Sequence, residues 1–525
     1  MQEILAGTLE DLETKGRLIV KSGKRQILIL RSSKGLHAVD HRCPHEGYPL
    51  SQGIQNDCVL TCAYHNWKFD LQTGQNSVGG DGLKVWPMDI RDGNIFVSIC
   101  EPDPIEVQKE AIDQIKEAMA QRNAGLLMRG LARYIGAKGN VWPLIESTIQ
   151  NRAVRYQWGF SHSLAAAVDW LELIKTQPGL HQQLAILEEI FFEINEETLT
   201  LKVTPFLEGE PPKHQSLPQL IEAESEDSLL WIGPNFKLEG ENLKELISST
   251  LFHYRDFGHC LIYLHKAWQL SQKIPGLSQT LGRLLVRNLI YSTREDDLPQ
   301  FVKLKACLNQ PFTFGPLALK PEDLSGSGIS ECLQWLHNKE GYSAESILES
   351  LVYSGALCLM KFDPSLMDQV EVIPAQQESW LSFTHILTFA SALKDLGPLC
   401  PESFASGLRQ MASFVGRGHK ALTQTPDLLN AHCPTETELL EMVSDIDTMH
   451  PVLAAHRVKT LYAVKHLALV YPNLKTILFQ ALYRYLNYPM RTKFPRRLAW
   501  QSLQLVGRDV DLDGVLVLLC EPFSG

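Results

Sequence analysis

The stretch "HRCPHEGYPL" at residues 41–50 carries one Cys and one His, and "TCAYHNWKFD" at residues 61–70 carries another of each. The four side chains follow the pattern C-x-H, sixteen residues, then C-x-x-H, and they are Cys43, His45, Cys62 and His65. Thiolate and imidazole groups are ligands of zinc and of some iron–sulfur clusters. Turn-forming residues surround both pairs, so the spacing predicts two loops that together hold a metal centre.

Two kinds of centre accept two Cys and two His. A [2Fe–2S] centre of the Rieske type needs two thiolates on one iron and two imidazoles on the other, and two loops that each give one Cys and one His meet this requirement. A structural zinc site accepts the same set of ligands. Zinc fingers, however, normally pair Cys with Cys and His with His, so the mixed pairing favours the iron–sulfur centre.

The residues around the ligands carry a family resemblance. The segments "CPHEG" and "CAYHNWKFD", together with Gly74 after the second loop, resemble the Rieske ferredoxin family. This resemblance implies an all-β domain whose [2Fe–2S] cluster is held by the four motif residues and carries one electron. Short apolar runs in "GRLIVKSGKRQILILRSSKGLHAVD" and "DGNIFVSI" are typical of strands. We therefore predict a Rieske domain over residues 1–104.

The same resemblance distinguishes two types of Rieske centre. The respiratory type carries a disulfide between its loops, and the corresponding positions here are Tyr48 and Tyr64. The ferredoxin or oxygenase type, which delivers electrons to a partner, is therefore expected. The family's usual H-G-W after the last ligand is H-N-W here, which puts Asn66 where Gly would reach a positive φ more freely. Cys58 is interpreted as a small buried residue.

The chain after residue 105 has helical patterning. Segments such as "IEVQKEAIDQIKEAMAQ" and "TILFQALYRYL" repeat apolar residues every 3.6 positions, which predicts a large all-α domain over residues 105–525. Its length allows one domain or two subdomains. The Pro- and Glu-rich stretch 196–240 predicts a long loop. An ordinary Rieske oxygenase would carry a mixed α/β domain with iron on a D-x2-H-x3–4-H motif. The nearest match, Asp447, His450 and His456, has too long a second gap and lies in a helical stretch, so that fold is not expected.

Four helical segments share a register. Counted from His162, His259, His385 and His456, position +11 is Leu in every copy and position +16 is Pro in every copy. A second helical segment follows each Pro, which suits the start of a helix because its missing N–H has no partner there. The register predicts repeated helix–turn–helix hairpins.

The repeated His has two interpretations. Position +11 lies about 20° from the His around a helix, so each His shares a face with a buried Leu. Equivalent positions in pseudo-symmetric repeats approach a common axis, which predicts that the four imidazoles line a substrate pocket or a site for a second transition metal, with iron favoured. The alternative is four separate core histidines. Weaker candidates for extra ligands are His253 and His450, and the possible carboxylate partners are Asp256, Asp169 and Glu146.

The helical region at about 125–490 resembles the questin-oxidase-like family, because several of its helices begin with His followed by a Leu- and Ala-rich stretch. The resemblance implies oxygenation of a polycyclic aromatic or polyketide substrate with NADPH as reductant. It implies no catalytic residue at a particular position.

Bulk properties exclude several classes of partner. The formal net charge of −11 is spread along the chain, which disfavours nucleic acid and anionic membranes. No apolar run approaches the ~18 residues of a membrane span, and the acidic N-terminus lacks the apolar segment of a signal peptide. Scattered Cys without disulfide spacing favour a reducing compartment, so a cytoplasmic location is predicted.

These patterns predict a Rieske iron–sulfur oxidoreductase, in the leading interpretation an oxygenase. Its [2Fe–2S] cluster would pass electrons to the His-lined pocket, where a small apolar or aromatic substrate reacts. The G-x-G-x-x-A segment at Gly416 lacks the βαβ context of a dinucleotide site. Electrons from external NAD(P)H should therefore arrive through a separate reductase or ferredoxin.

Two other functions compete with this prediction. The first is a non-enzymatic electron-transfer or redox-sensing protein, whose helical repeats form a docking scaffold. The second is a helical acyl- or isoprenoid-processing enzyme, which would need acidic metal-binding clusters. The nearest acidic run, Glu295-Asp296-Asp297, is interpreted as an exposed loop.

Overall fold

The computed structural model of the 525-residue chain describes residues 2–23, 25–77, 80–100, 102–198, 201–369, 371, 378–423, 432–445 and 451–488. The chain divides into two compact units, Met1–Val141, here the N-terminal unit, and Trp142–Gly525, here the helical unit. The predicted boundary at residue 104 lies at the change from strand to helix. As a boundary between independently folding parts it stays a prediction.

The N-terminal unit contains three antiparallel sheets of three strands, in the orders β1-β9-β8, β2-β3-β4 and β5-β6-β7. The strands are β1 (Gln2–Thr8), β2 (Leu18–Ser22), β3 (Arg25–Ser32), β4 (Gly35–Asp40), β5 (Ile54–Asn56), β6 (Val59–Thr61), β7 (Lys68–Asp70), β8 (Met88–Arg91) and β9 (Asn94–Ile99). One short helix, α1 (Leu9–Lys15), follows β1. The predicted β-sheet domain at the N-terminus is confirmed.

Strand β3 is buried on both faces because four apolar residues follow one another in its centre. Ile27 and Ile29 pack into the core that contains the apolar residues of β9. Leu28 and Leu30 point the other way, into the core that contains both cysteines of the motif. The strand therefore ties the motif loops to the rest of the sheet structure.

Helices α2 (Pro104–Gln121) and α3 (Ala124–Gly136) form a hairpin that belongs to the N-terminal unit. The Asn123 side chain caps α3 by accepting a hydrogen bond from the backbone N–H of Leu126, at 3.0 Å. The side chain of Asp81 is 2% exposed and accepts hydrogen bonds from three side chains, those of Gln114, Arg129 and Arg133. This buried ion pair joins the helical hairpin to the β-rich part.

The helical unit contains no strand among its described residues, and its helices begin with α4, which starts at the unit boundary. They are α4 (Val141–Ala153), α5 (His162–Ile174), α6 (Leu180–Thr198), α7 (Leu217–Glu222), α8 (Gly240–Leu251), α9 (His259–Lys273), α10 (Ser278–Tyr291), α11 (Val302–Cys307), α12 (Ile329–His337), α13 (Ala344–Lys361), α14 (Ser365–Asp368), α15 (Trp380–Leu396), α16 (Pro401–Arg417), α17 (Glu436–Ser444), α18 (Pro451–Val470) and α19 (Lys475–Asn487). The predicted all-α region is confirmed.

Four inner helices, α5, α9, α15 and α18, pack in a closed ring in which each contacts the next. Each inner helix packs against the helix that follows it: α6, α10, α16 and α19, respectively. Pro401 begins α16, and Pro275 and Pro472 begin short 3-10 helices just before α10 and α19. The predicted repeat of helical hairpins is confirmed.

The four inner helices run in the same direction. The repeated His is the first residue of α5 and α9 and the sixth residue of α15 and α18. At the other end, residues near the C-termini of all four helices line one cavity, among them Glu172, Lys273, Asp395 and Leu469. Equivalent positions of the repeats therefore meet at equivalent heights along the ring.

The predicted long loop at 196–240 is only partly correct. Helix α6 continues to Thr198, and residues 201–240 include α7 and a 3-10 helix, Glu226–Trp231. Leu217, Leu220 and Ile221 give α7 a buried apolar face, which the surrounding Pro and Glu residues concealed in the sequence. Among the described helices, none is long and apolar enough to cross a bilayer.

Removing the charge of Asp81 should lower the local stability of the α2–α3 hairpin. We expect Asp81→Asn to lower the free energy of opening of the α2–α3 hairpin by about 2–3 kcal/mol, because two arginines lose their counter-charge. Hydrogen exchange of the full-length chain, measured by mass spectrometry, should then be faster in peptides from residues 104–136. Asp113→Asn is the matched control, since Asp113 forms an exposed pair with Lys116. Equal exchange in the two variants would contradict a stabilising role for Asp81.

Candidate metal centres

The N-terminal motif lies on two hairpin-like loops. The first follows β4, and its turn is closed by backbone hydrogen bonds from Cys43 N to Tyr48 O (2.9 Å) and from Gly47 N to Cys43 O (2.8 Å). The second joins β6 to β7 and is closed by a bond from Cys62 N to Trp67 O at 2.8 Å. Each cysteine therefore starts a tight turn that brings its His back beside it.

The backbone of the second loop tolerates the departure from the family pattern. Asn66 has φ 59°, in the left-handed region that Gly enters most easily and that Asn enters more readily than most other residues. The ring of Trp67, the next residue, stacks on His45 with centroids 4.7 Å apart. Asn66 thus adopts the left-handed backbone conformation that a Gly at this position would enter easily.

The four motif side chains form a centre with a buried side and an exposed side. Cys43 and Cys62 are 2% and 1% exposed, and burial raises the pKa of Cys43 to about 11. The rings of His45 and His65 meet edge to face at 4.5 Å, with His65 exposed. Nδ1 of His45 is buried and has no hydrogen-bond partner among the described residues, which leaves this nitrogen free to bind a metal. Two buried thiols and two outer imidazoles suit the two irons of a [2Fe–2S] cluster.

Tyrosines occupy the positions where the respiratory type would carry a disulfide. The rings of Tyr48 and Tyr64 stack with centroids 3.6 Å apart, so an aromatic contact links the two loops. The Tyr64 hydroxyl also donates to the side-chain oxygen of Gln52 at 3.1 Å. Cys58 is only partly buried, contrary to the expectation of a buried residue, and lies 3.2 Å from the Ser32 hydroxyl.

The repeated histidines of the helical unit meet inside the ring of inner helices. Their rings form a cycle with centroid distances of 4.9 Å (His162–His259), 4.4 Å (His259–His385), 4.9 Å (His385–His456) and 4.6 Å (His456–His162). One nitrogen from each ring lies within 4.8 Å of the corresponding nitrogens of the other three. We call this set the four-His cluster.

The nitrogen distances within the cluster match those of metal ligands. Nε2 of His162 lies 3.2 Å from Nε2 of His259, and Nε2 of His385 lies 3.1 Å from Nε2 of His456. Two nitrogens that bind one metal at about 2.0–2.1 Å, at tetrahedral or right angles, are about 2.9–3.4 Å apart. These two pairs are therefore at ligand spacing, and one ring nitrogen of each of the four histidines lies within 4.8 Å of the other three.

The outer nitrogens of the rings are held by the surrounding protein. Nδ1 of His259 donates to the carbonyl of Asp256 and Nδ1 of His456 donates to the carbonyl of Val452, both at 2.6 Å. His385 bonds the backbone of Leu381, and Nδ1 of His162 faces the Tyr263 hydroxyl at 3.3 Å. Such contacts fix the orientation and tautomer of metal-binding imidazoles.

Electrostatics keep these rings neutral. Burial is the largest cause that lowers the pKa of all four histidines, and the nearby Lys459 ammonium lowers each pKa further. The neutral imidazole is the form that binds a metal. The cluster can therefore present four unprotonated ring nitrogens to one ion.

The weaker ligand candidates do not join the cluster. Nδ1 of His253 contacts Asp296 at 2.8 Å and its Nε2 contacts Glu222 at 3.1 Å, so both ring nitrogens already face carboxylates. His450 and Asp447 lie outside the described residues. The prediction that the acidic run at 295–297 is an exposed loop is wrong for its first two residues. Glu295 and Asp296 are buried, and they pair with Arg417 and His253, respectively.

Sequence reasoning missed the polar residues beside the cluster. Glu193 on α6 and Lys459 on α18 are each 1% exposed, and both lie against the inner helices. The signal was present in α6, where Glu189, Glu193 and Glu197 recur every fourth residue on one helical face. A repeated charge on a helix usually marks a solvated face, which is why the pattern carried no prediction.

Comparison with known proteins addresses the N-terminal unit. The Rieske [2Fe–2S] domain family matches residues 2–80. The chain is 46% identical over 66 residues to the 4beta-methylsterol monooxygenase of Methylococcus capsulatus, covering 11% of this chain and 18% of that protein. It is 30% identical over 86 residues to the alkene monooxygenase system ferredoxin component of Xanthobacter autotrophicus, covering 16% of this chain and 70% of that protein. It is 29% identical over 104 residues to the 3-phenylpropionate/cinnamic acid dioxygenase ferredoxin subunit of Photorhabdus laumondii, covering 19% and 98%.

The chain thus spans less than a fifth of the length of the monooxygenase and most of the length of the two ferredoxins. The matched segment contains both motif loops, with their buried thiols and outer imidazoles. Through residues 2–80, which form a Rieske [2Fe–2S] domain, the chain belongs to the Rieske iron–sulfur proteins.

Proposed function

We propose that this Rieske protein is an oxygenase in which electrons from the [2Fe–2S] cluster reach a metal held by the four-His cluster. The observation that carries the proposal is the contact between His385 and His456. Each ring donates its outer N–H to a backbone carbonyl, so the two Nε2 atoms that face each other at 3.1 Å both present lone pairs. Two facing lone pairs repel unless a proton or a metal ion lies between them.

A metal ion fits this position better than a proton. Burial and the Lys459 ammonium disfavour a protonated imidazole, as the lowered pKa values of the rings show. Imidazole nitrogens suit divalent iron, copper, zinc and nickel, and iron fits a chain that already carries an electron donor. A redox-active metal bound here would supply the activation of O₂.

The residues around the cluster would control access to the metal. Phe414 stacks beside His385 at 6.4 Å, and Phe160 packs against Tyr263 at 5.3 Å, so apolar rings shield two sides of the cluster. Excluding water in this way protects reactive species from side reactions. The apolar surroundings support a small apolar or aromatic substrate, as does the oxygenase context of the relatives.

The electrons would come from outside the chain. Gly416 lies in the last turn of α16, and Gly418 directly follows that helix. A dinucleotide site would instead place these glycines directly after a strand. A separate reductase or ferredoxin, fed by NAD(P)H, would therefore reduce the Rieske cluster. The cluster would pass electrons to the four-His metal of the same chain or of a neighbouring subunit. The competing function is a non-enzymatic electron-transfer protein, whose four-His cluster would hold no redox metal.

The Rieske cluster gives the first test of this proposal. Purified protein should contain two irons and two acid-labile sulfides for the cluster, with a Rieske-type EPR signal after reduction. His45→Cys or His65→Cys should shift this signal toward that of an all-Cys ferredoxin, because a thiolate donates more charge to the iron than an imidazole does. Zinc in place of iron and sulfide would contradict the cluster assignment.

The four-His cluster gives the second test. His162→Ala, His259→Ala, His385→Ala and His456→Ala should each lower the content of the additional metal and reduce turnover by about a hundredfold or more, since each removes a ligand. The Rieske EPR signal should persist in all four variants. Metal analysis and O₂ consumption with a chemical reductant measure both effects.

Two histidines outside the register serve as controls. His337 is exposed and His419 bonds the carbonyl of its own turn at Gly416, so His337→Ala and His419→Ala should change neither metal content nor turnover. If wild-type protein binds no metal besides the Rieske iron, the oxygenase proposal fails and the electron-transfer function replaces it.

A further inference from the structure

A buried lysine lies within electrostatic range of the four-His cluster. Lys459 follows His456 by three residues on α18, which places it about 4.5 Å further along the helix axis. The residue is 1% exposed, and its Nζ has no hydrogen-bond partner among the described residues. The ammonium group interacts electrostatically with all four histidines of the cluster.

Buried carboxyl groups face this lysine from the neighbouring helices. Asp169 on α5 and Glu193 and Glu197 on α6 attract the ammonium, and Lys266 on α9 repels it. One oxygen of Asp169 accepts a hydrogen bond from Lys266 Nζ at 2.8 Å, and one oxygen of Glu193 accepts a bond from the Trp170 indole at 3.0 Å. The second oxygens, Oδ2 of Asp169 and Oε1 of Glu193, are buried and unpartnered within the described part of the chain.

An open cavity lies at the end of the ring opposite the four-His cluster and reaches two of these buried residues. It has a volume of about 760 Å³ and lies between the C-terminal halves of the four inner helices, with the strongly exposed Leu469 at its edge. Asp169 and Lys266 line this cavity. Tyr462 also lines it, and its hydroxyl is buried without a partner among the residues that the structure describes.

These groups lie at successive heights along the axis of the ring of inner helices. Asp169 follows His162 by seven residues, which places it about 10 Å from the cluster end of the ring, and Lys459 lies about halfway. The sequence of groups along the axis is therefore the cavity, Asp169, Lys459 and the four-His cluster, with Glu193 at the side.

We infer that Asp169 and Lys459 carry protons through bound water from the open cavity to the four-His cluster. Buried polar atoms in native proteins nearly always find a partner, and here Asp169 Oδ2, Glu193 Oε1 and Lys459 Nζ interact electrostatically but have no hydrogen-bond partner among the described residues. Water is the partner that can satisfy an ammonium and two carboxyl oxygens at once. Because the same groups join the cavity to the cluster, the water that satisfies them also connects the two.

The proton balance of this path is simple. Lys459 gives one proton toward the cluster and becomes neutral, and Asp169 restores its charge through water. Asp169 in turn takes a proton from water in the cavity, so one proton enters for each proton delivered and no electron moves along the path. Burial raises the pKa of Asp169 to about 6 and lowers the pKa of Lys459 to about 8, so burial brings the two pKa values closer together.

The purpose of this path rests on the proposed function, because the reduction of O₂ at a buried metal consumes protons. Its existence can be tested without turnover. The competing explanation is a static ion cluster, in which Lys459 only neutralises the carboxylates around it. A static cluster would change how tightly the four-His cluster holds a metal, whereas a proton path changes how fast protons arrive there.

The closing experiment uses cobalt(II) as a spectroscopic probe of the four-His cluster in the full-length chain. Acid releases the metal only after protons reach the imidazoles, so stopped-flow acidification with a chelator present measures proton arrival. Asp169→Asn and Lys459→Met should slow the release about tenfold or more. Asp169→Asn separates the two explanations, because the loss of a nearby negative charge by itself weakens cobalt binding and would speed the release. Glu436→Gln is the matched control, because Glu436 lines the same cavity, pairs with Lys465 and faces no group of the path.

The second arm is a crystal structure of the same chain at a resolution that shows water. Ordered water between Asp169 Oδ2 and Lys459 Nζ supports the path, and a dry contact overturns it. Unchanged release in Asp169→Asn also overturns it, even if Lys459→Met fails to fold. If cobalt does not bind, the four-His metal site fails instead, and the crystal structure still decides whether the path exists.

Discussion

At the centre of the helical unit, four neutral imidazoles lie with their inner nitrogens facing one another. Each ring comes from a different inner helix, and each outer nitrogen is held by a neighbouring backbone or hydroxyl group. Four buried rings in this arrangement are costly unless an electron-poor partner lies between them. The parallel course of the inner helices brings equivalent positions of the four hairpins to one height.

A different constraint shapes the N-terminal unit. Two thiols that bind a cluster must be buried, while two imidazoles must stay near the surface to pass electrons. Strand β3 satisfies the first requirement, because its Leu side chains pack directly against the core that contains both cysteines. The stacked pair Tyr48 and Tyr64 holds the loops together where the respiratory type would use a covalent bond. An aromatic contact keeps the loop tips closed without fixing them as rigidly as a disulfide does.

The sequence predicted these two centres for different reasons. Cys43, His45, Cys62 and His65 are close in the chain, so local spacing and flanking residues were enough. His162, His259, His385 and His456 are far apart, and only their shared register with Leu and Pro predicted that they meet. The shared register could not show whether His253 joins the cluster, because its carboxylate partners, Glu222 and Asp296, come from segments outside the repeat. The association of the α2–α3 hairpin with the β-rich part was equally hidden, since the buried Asp81 that contributes to it lies far from its arginine partners in the sequence.

The acidic side of the polar core also follows from the neutral ligand set. A divalent ion on four uncharged imidazoles keeps its full double charge in a region of low dielectric constant, so nearby negative charge stabilises it. Burial raises the pKa of Glu193 and Asp169 because, in the protein alone, their charges lack sufficient compensation. A bound dication would supply that compensation, lower both pKa values and release protons toward the cavity. If the proposed dication binds the four-His cluster, metal binding and ionisation of these carboxyl groups should therefore favour each other.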